Sequence, residues 1–319
     1  MTRAALAATR AVEILDFLAA HPSEAFSLSE LARRLGVNLA STHAVLHALT
    51  AAGYLSRHPR HRTYTLGPGV IAAGSAALVA HPAIDAALDE ARRLADATGL
   101  QATVTAIAGD AVVFVASAGR QQPHGVDLRV GQRVPLVPPL GTVFYAWAPD
   151  DEVDAWLGRA PLEPDVRDAL RAVLATVRAR GCSIGLEAPG RQDLEAAIAH
   201  RADEPSAPGV QDEIATSIAR LATEEYQVRE LDARRRYDLS LLAAPVFDPE
   251  GRVTLAITLV GFPPQLTARD VERLVAQVRG AGVVATKRSR GRIPDPIRLQ
   301  RRPGRRRPRM PVRAQREAQ

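Results

Sequence analysis

A pentapeptide in the middle of the chain has the pattern of a hydrolase nucleophile. Gly181-Cys182-Ser183-Ile184-Gly185 places a serine between two glycines, as in the sharp turn that exposes the catalytic serine of α/β hydrolases. That turn needs a strand before the serine and a helix after it, whereas the sequence predicts the reverse order here. The one histidine that follows lies much closer to the serine than that fold would place it. A serine hydrolase is therefore the less favoured alternative.

Other catalytic or metal-binding patterns are incomplete. His43 and His47 have the helical i, i+4 spacing that a metal ion can use, but no glutamate lies between them to complete a metalloprotease motif. Cys182 is the only cysteine, so neither a disulfide framework nor a cysteine-rich zinc site is expected. Lys287, the only lysine, lies outside the predicted folded body, which argues against a phosphate-loop nucleotide site or a Schiff base. We expect no metal and no cofactor.

The histidine pair lies within residues 27–66, whose pattern predicts two helices and a β-hairpin. Ser27 and Glu30 have the spacing of a capping box at the start of the first helix. Gly36 can adopt the backbone conformation that ends this helix, and Asn38 is a candidate N-cap for the second. Two capped helices joined by so short a turn predict a helix-turn-helix.

The hairpin after these helices has a basic tip, as in the wing of a winged helix. The second helix would enter the major groove through its N-terminal half, and the wing arginines would neutralise phosphates. The candidate DNA contacts are Asn38, Ser41, Thr42, His43 and His47 on the second helix, and Arg57, Arg60 and Arg62 in the wing.

Charge and composition divide the 319-residue chain, which has room for two or more domains. The net charge of +6 combines a basic N-terminal part, an acidic centre and a basic C-terminus. Residues 286–319 have many prolines and no apolar periodicity, so a disordered tail is predicted. Apolar runs stay far below the roughly 20 residues of a membrane helix, and no secretory signal is evident. A cytoplasmic location without membrane partners is expected.

Beyond residue 82, helices and antiparallel hairpins alternate, which predicts an α+β domain. The patterns indicate a hairpin from strands at 101–108 and 111–118, helices at 167–180 and 210–231, and a strand at 182–187. Two further strands at 237–248 and 252–261 precede a last capped helix.

The stretch SLSELARRLGVNLASTHAVLHALTAAGYLSRHPRHRTYTLGPGVIAAG resembles the IclR family of bacterial transcriptional regulators. The resemblance continues at lower density through VGQRVPLVPPLGTVFYAW, VRARGCSIGLE and LLAAPVFDPEGRVTLAITLVG. It implies a winged helix-turn-helix domain at 1–68, a linker helix at 69–82, a GAF-like α+β effector-binding domain at 83–285 and a tail at 286–319. It also implies a double-stranded DNA operator, a small-molecule effector and a homodimer or dimer of dimers.

The resemblance also indicates where the effector binds. Members that bind small organic acids carry polar groups on the last two strands, whereas of the matching positions here only Thr258 keeps a hydroxyl. A larger or more apolar effector, such as a relatively apolar organic acid or an aromatic, is therefore expected. The alternative is that these residues only fill a core. The effector-site candidates are Leu140, Gly141, Cys182, Leu241, Thr258 and Val260.

The recognition helix departs from the family pattern, which usually has a basic residue near its start and an arginine further in. Here those positions hold Leu39 and Ala44. Base readout is therefore expected to be apolar, for example through thymine methyl groups, with the wing carrying more of the binding. A ligand-binding protein without specific DNA binding is the alternative from another class.

Overall fold

The computed structural model describes residues 5–120, 129–224 and 226–294. Its N-terminal part is a winged helix. The elements in chain order are α1 (Leu6–Ala20), β1 (Phe26–Ser27), α2 (Leu28–Arg34), α3 (Leu39–Ala51), β2 (Leu55–Arg57) and β3 (Thr63–Leu66). The three strands form one sheet in the order β1-β3-β2, which adds a strand to the predicted hairpin.

Both predicted helix caps are confirmed. Ser27 Oγ accepts a hydrogen bond from the Glu30 backbone N–H, and a Glu30 carboxylate oxygen accepts one from the Ser27 backbone N–H at 2.7 Å. Asn38 Oδ1 accepts from the Ser41 backbone N–H at 2.9 Å. Gly36 has a positive φ of 64° where α2 ends. These local bonds set the start of each helix.

α4 (Pro68–Ala80) begins directly after the wing, where the sequence predicts a linker helix. Gly67 donates its backbone N–H to the Tyr54 carbonyl at 2.7 Å, and Gly69 donates to the Gly53 carbonyl at 2.8 Å. α5 (Pro82–Thr98) comes next, at a bend of 98°. Among the described residues no single helix could span a membrane; only this bent pair, taken together, has the length and apolar content.

The C-terminal part is an α+β domain built on a six-stranded antiparallel sheet in the order β6-β5-β4-β10-β9-β7. A separate two-stranded sheet pairs β8 with β11. The elements after α5 are β4 (Gln101–Ala108), β5 (Ala111–Ala118), β6 (Arg133–Pro135), α6 (Thr142–Tyr145), α7 (Asp150–Leu157), α8 (Pro164–Arg180), β7 (Ser183–Leu186), α9 (Pro189–Asp203), α10 (Val210–Thr223), β8 (Arg236–Tyr237), β9 (Leu239–Phe247), β10 (Val253–Val260), β11 (Leu266–Thr267) and α11 (Ala268–Arg288).

The two faces of the large sheet are covered by different helices. α5 and α11 pack on one face around a core that includes Ala91, Val104, Ile257 and Val278. Helices α6 to α10 and the loops between them lie on the other face. Successive strand residues point to opposite faces, so each central strand contributes to both layers.

Two sequence predictions for this domain need correction. The helix predicted at 210–231 ends at Thr223, because the next residues pair with β7 instead: Val228 donates its backbone N–H to the Ile184 carbonyl at 3.0 Å. The sequence patterns also miss α9. A signal for it is present, since Pro189 occupies the first turn and Leu194 and Ile198 have helical spacing.

α11 continues past residue 286, where the sequence predicts that the tail begins. Thr286 is fully buried and its Oγ1 accepts a hydrogen bond from the Phe247 backbone N–H at 3.1 Å. Arg288, in the last turn, pairs with Asp89 of α5 at 2.8 Å. The predicted disorder of the tail beyond Pro294 lies outside the described residues.

The close approach of α4 to the wing generates a stability prediction. A Cβ on Gly67 would lie 2.5 Å from the Gly53 carbonyl oxygen and 2.9 Å from the Leu55 carbonyl carbon, both backbone atoms that cannot rotate away. We expect Gly67→Ala to lower the free energy of unfolding by about 1–3 kcal/mol, measured by urea denaturation monitored with circular dichroism.

Gly280→Ala, in the interior of α11, is the matched control. No atom lies within 4 Å of its added Cβ, so this variant should gain about 0.5–1 kcal/mol from the higher helix propensity of alanine. Equal stabilities of the two variants would contradict the packing described here.

Candidate nucleic-acid interface and ligand cavity

The candidate recognition helix, α3, presents a short polar surface. His43 and His47 are exposed, with their ring centroids 6.4 Å apart, and Ser41 is half-buried. Thr42 does not belong to this surface: it is 1% exposed and donates its hydroxyl to the Asn38 carbonyl at 3.0 Å. The prediction that Thr42 contacts DNA is therefore corrected, because its side chain shares the buried stripe of α3.

The wing tip is folded around a histidine. His58 Nδ1 accepts hydrogen bonds from the backbone N–H groups of Arg60 (3.3 Å) and His61 (3.1 Å). Arg60 and Arg62 are exposed at this tip, whereas the Arg57 guanidinium lies 5.7 Å from the centroid of the Tyr64 ring. The tip thus holds two solvated cations on a backbone that is fixed locally.

The histidines of this module have no further metal ligands nearby. In the part of the chain that the structure describes, no group of three or more His, Cys, Asp or Glu side chains could hold a metal ion. The i, i+4 pair on α3 is therefore available to solvent or to DNA.

A cavity of about 160 Å³ lies on the face of the large sheet that is opposite α5 and α11. Its floor is formed by β4, β5, β9 and β10, and its roof by the loop before α6, by α9 and by α10. Five of the six effector-site candidates line it: Leu140, Gly141, Leu241, Thr258 and Val260. The remaining lining is mostly aliphatic and aromatic, and includes Phe114, Phe144 and Leu194.

Cys182 is the candidate that the structure places elsewhere. It is fully buried in the core beneath α5 and α11, and burial raises the pKa of its thiol to about 12. The physical reason is strand alternation: Ser183, one residue on, points into the cavity instead. Ser183 donates its hydroxyl to Gln227 Oε1 at 2.9 Å, and Thr142 Oγ1 lies 3.2 Å from its oxygen.

Sequence reasoning missed the charged part of the cavity, which comes from α9. Arg191 is only 8% exposed and forms an ion pair with Glu195 one turn along the helix. Glu187 lies 4.0 Å from the Arg191 Nε. Burial raises the pKa of Glu195 to about 7, against the opposing effect of the Arg191 charge. A buried guanidinium beside so weakly acidic a carboxyl group can attract an anionic ligand.

The start of α9 is held tightly against α10. Gly190 donates its backbone N–H to the Glu224 carboxylate at 3.0 Å, and a Cβ at this position would lie 2.9 Å from the Leu221 backbone nitrogen. Arg220 joins the two helices by binding Asp193 at 2.6 Å. α9 therefore presents Arg191 to the cavity from a fixed helix start.

Two family models match the chain. Residues 7–59 match the IclR helix-turn-helix domain, and residues 75–206 match the bacterial transcriptional regulator IclR C-terminal domain. The HTH-type transcriptional regulator BhcR of Paracoccus denitrificans is 30% identical over 207 residues, which are 62% of this chain and 74% of BhcR. The Pca regulon regulatory protein of Pseudomonas putida is 29% identical over 163 residues, 49% of this chain and 55% of that protein.

Solved structures share the fold. An IclR transcriptional regulator from Alicyclobacillus acidocaldarius superposes with a TM-score of 0.62 at 22% identity, covering 90% of this chain and 100% of the other. An IclR homolog from Microbacterium hydrocarbonoxydans, complexed with 4-hydroxybenzoate, gives a TM-score of 0.58 at 18% identity, with coverages of 89% and 99%.

Proposed function

This chain belongs to the IclR family of bacterial transcriptional regulators, and we propose which of its residues bind the operator and which bind the effector. It is a DNA-binding regulator whose C-terminal domain binds a small molecule and modulates operator binding. The observation that carries the effector proposal is the buried Arg191 in an otherwise mostly apolar cavity. Because the operator is DNA of a bacterial cell, we place the protein in the cytoplasm.

In the proposed DNA-binding surface, α3 contacts the base edges and the wing contacts the phosphates. Ser41, His43 and His47 are the polar side chains that α3 offers to base edges, while Leu39, which is 56% exposed, offers an apolar contact to thymine methyl groups. The exposed arginines of the wing tip supply phosphate contacts, which add affinity without reading sequence.

We expect Arg60→Ala and Arg62→Ala to weaken binding to the operator and to random duplex by similar factors. Each loss should reduce the slope of log K against log salt by about one, as for a single phosphate contact. Ser41→Ala and His43→Ala should instead lower the preference for the operator. Fluorescence anisotropy at several salt concentrations measures both, with DNA upstream of the protein's own gene and a scrambled duplex.

Arg92→Ala on α5 is the charge-matched control, since this exposed arginine is remote in sequence from α3 and the wing. It should change neither quantity. Equal losses from all four test variants on both duplexes would contradict the division of labour. No preference of the unmodified protein for any operator would favour a ligand-binding protein without specific DNA binding.

The proposed effector is a carboxylate with a single small ring. The cavity of about 160 Å³ is close to the roughly 150 Å³ of an engineered apolar cavity that binds benzene. Arg191 supplies a permanent positive charge for a carboxylate, because a guanidinium does not lose its proton in proteins. The sequence patterns instead predict a larger or more apolar effector. These patterns reveal neither α9 nor the buried arginine, so the positive charge in the cavity does not enter that prediction. The Microbacterium neighbour, which holds 4-hydroxybenzoate, supports the carboxylate class.

We expect 4-hydroxybenzoate to bind at least tenfold more tightly than the neutral 4-hydroxybenzamide, by calorimetry. Arg191→Met should remove this difference, because a charge-assisted hydrogen bond contributes about 1.5–3 kcal/mol.

Binding of the acid should strengthen from pH 8 to pH 6, since protonation of Glu195, whose pKa is about 7, removes a negative charge that competes with the ligand for Arg191.

Glu195→Gln is the control for the pH effect, because it mimics the protonated state at every pH. Its affinity for the acid should stay near the low-pH value throughout. Equal binding of acid and amide, or no binding of either, would contradict the proposed effector class.

We propose that a second copy of the chain covers α4. No residue of this helix is buried, and Ile71 (73% exposed) and Val79 (85% exposed) face solvent. α1 adds Leu6 and Val12 to the exposed apolar surface. A dimer also suits paired half-sites about 34 Å apart, one turn of DNA.

Ile71→Glu combined with Val79→Glu should convert the dimer, or dimer of dimers, to monomers, because two charges would be buried in the interface. Sedimentation velocity at micromolar concentration measures the mass. Arg92→Glu, an exposed charge change on α5, should leave it unaltered. A monomeric unmodified protein would refute the proposal.

We propose that Ser183 is not a nucleophile and that the chain is not an enzyme. The Ser183 hydroxyl donates to an amide oxygen of Gln227 instead of to a histidine. His200, the only histidine after it in sequence, is exposed on α9 and lies 3.4 Å from Glu213. A Ser183→Ala variant that abolished turnover of an ester would overturn this assignment.

A further inference from the structure

The C-terminal end of α9 contacts the winged helix of the same chain. Arg33 donates two hydrogen bonds from Nη1 to the Glu204 carboxylate, at 3.0 and 3.1 Å. Arg34 donates to the Asp203 carbonyl at 3.0 Å, and the Ser206 hydroxyl donates to the Arg34 carbonyl at 2.8 Å. Residues 203–206 therefore hold the last turn of α2 through both side chains and backbone.

Asp203 is the centre of a second set of contacts, to the end of α1. Its carboxylate lies 3.0 Å from His21 Nε2 and accepts a hydrogen bond from Arg129 at 2.9 Å. Desolvation would raise the pKa of Asp203, but the bonds from His21 and Arg129 outweigh it and lower the pKa below its usual value. His21 is 3% exposed, and its other ring nitrogen lies 2.7 Å from the Phe17 carbonyl. Each ring nitrogen of His21 thus lies within hydrogen-bond distance of an oxygen atom.

The same helix forms one wall of the ligand cavity. Arg191, Leu194, Glu195 and Ile198 line the cavity, and Asp203 is the last residue of α9. At 1.5 Å of rise per residue, Arg191, which we propose binds the anion, and Asp203 are separated by about 18 Å of continuous helix. A continuous helix transmits a displacement of one end to the other.

Part of the lining of the ligand cavity also borders a cleft between the two domains. Ile198 and Gln132 line both the ligand cavity and a cleft bounded by Asp16 and Phe17 of α1. Asp16 lies 3.7 Å from Arg133 across this cleft. A ligand that moves α9 therefore changes the contacts of α1 directly.

We propose that Asp203 is a positioning residue, which fixes the winged helix to the cavity-lining helix α9 so that effector binding alters operator binding. The coupling part rests on the proposed effector site, whereas the positioning part stands on the contacts alone. In thermodynamic terms, the effector must bind the two orientations of the winged helix unequally. In this proposal, the contacts of Asp203 with the winged helix are what differ between the two orientations.

The test compares Asp203→Asn with Glu213→Gln in the full-length protein. Glu213, on α10, lies 3.4 Å from the exposed His200 of α9, so it controls for loss of a carboxylate that contacts this helix away from the cavity. Hydrogen–deuterium exchange without ligand should show faster exchange at the end of α1 and in α2 for Asp203→Asn alone. Operator affinity should change at least fivefold in that variant, because the orientation of the winged helix is no longer fixed. Asp203→Glu should restore much of both.

The coupling is measured as the ratio of operator Kd values with and without saturating 4-hydroxybenzoate. We expect a ratio of at least five in the unmodified protein and in Glu213→Gln, and a ratio near one in Asp203→Asn, which should still bind the acid within twofold. If the acid does not bind the unmodified protein, the proposed effector is wrong and the ligand-free measurements decide the positioning role. Unchanged exchange and unchanged operator affinity in Asp203→Asn would overturn the proposal, as would an unchanged ratio.

Discussion

Strand alternation is the constraint on which the C-terminal domain depends. Each central strand of the large sheet has one face packed in the mainly apolar core beneath α5 and α11, and the other face in the mixed polar and apolar layer around the cavity. Neighbouring residues divide accordingly: Val104 and Ile257 are core, while Thr105 and Thr258 line the cavity. A shift of one residue in register would exchange the two layers. The cavity is therefore as firmly specified as the core behind it.

The features that sequence could predict are those with local causes. The caps at Ser27 and Asn38 and the hairpin at Gly109 each depend on residues a few positions apart, and the structure has all three. The orientation of Cys182 was beyond local reasoning, because a strand's inward face is defined by which helices cover it. The sequence prediction for Thr42 is wrong for a similar reason, because only the packing of α3 shows that this side chain is buried.

The charged residues of the cavity could not be predicted from the sequence, because their burial depends on contacts between distant parts of the chain. Arg191 and Glu195 look like an ordinary exposed i, i+4 pair on a helix, a pattern that usually marks a solvated surface. Only the crossing of α9 over α10 at Gly190 buries them beside the sheet. Hydrogen bonds and ion pairs join the two domains, and the core of the winged helix is separate from the cores of the C-terminal domain. Two domains that share no hydrophobic core can rearrange relative to one another.

The two backbone hydrogen bonds from Gly67 and Gly69 to the wing make α4 a rigid extension of the winged helix. Helical screw geometry then applies: one residue added to α4 would advance α5 by about 1.5 Å and rotate it by about 100° relative to the wing. The main effect of such an insertion would be to rotate the DNA-binding surface about the axis of α4. The increase in length would be small. The length of α4 therefore sets the angle between the DNA-binding surface and α5.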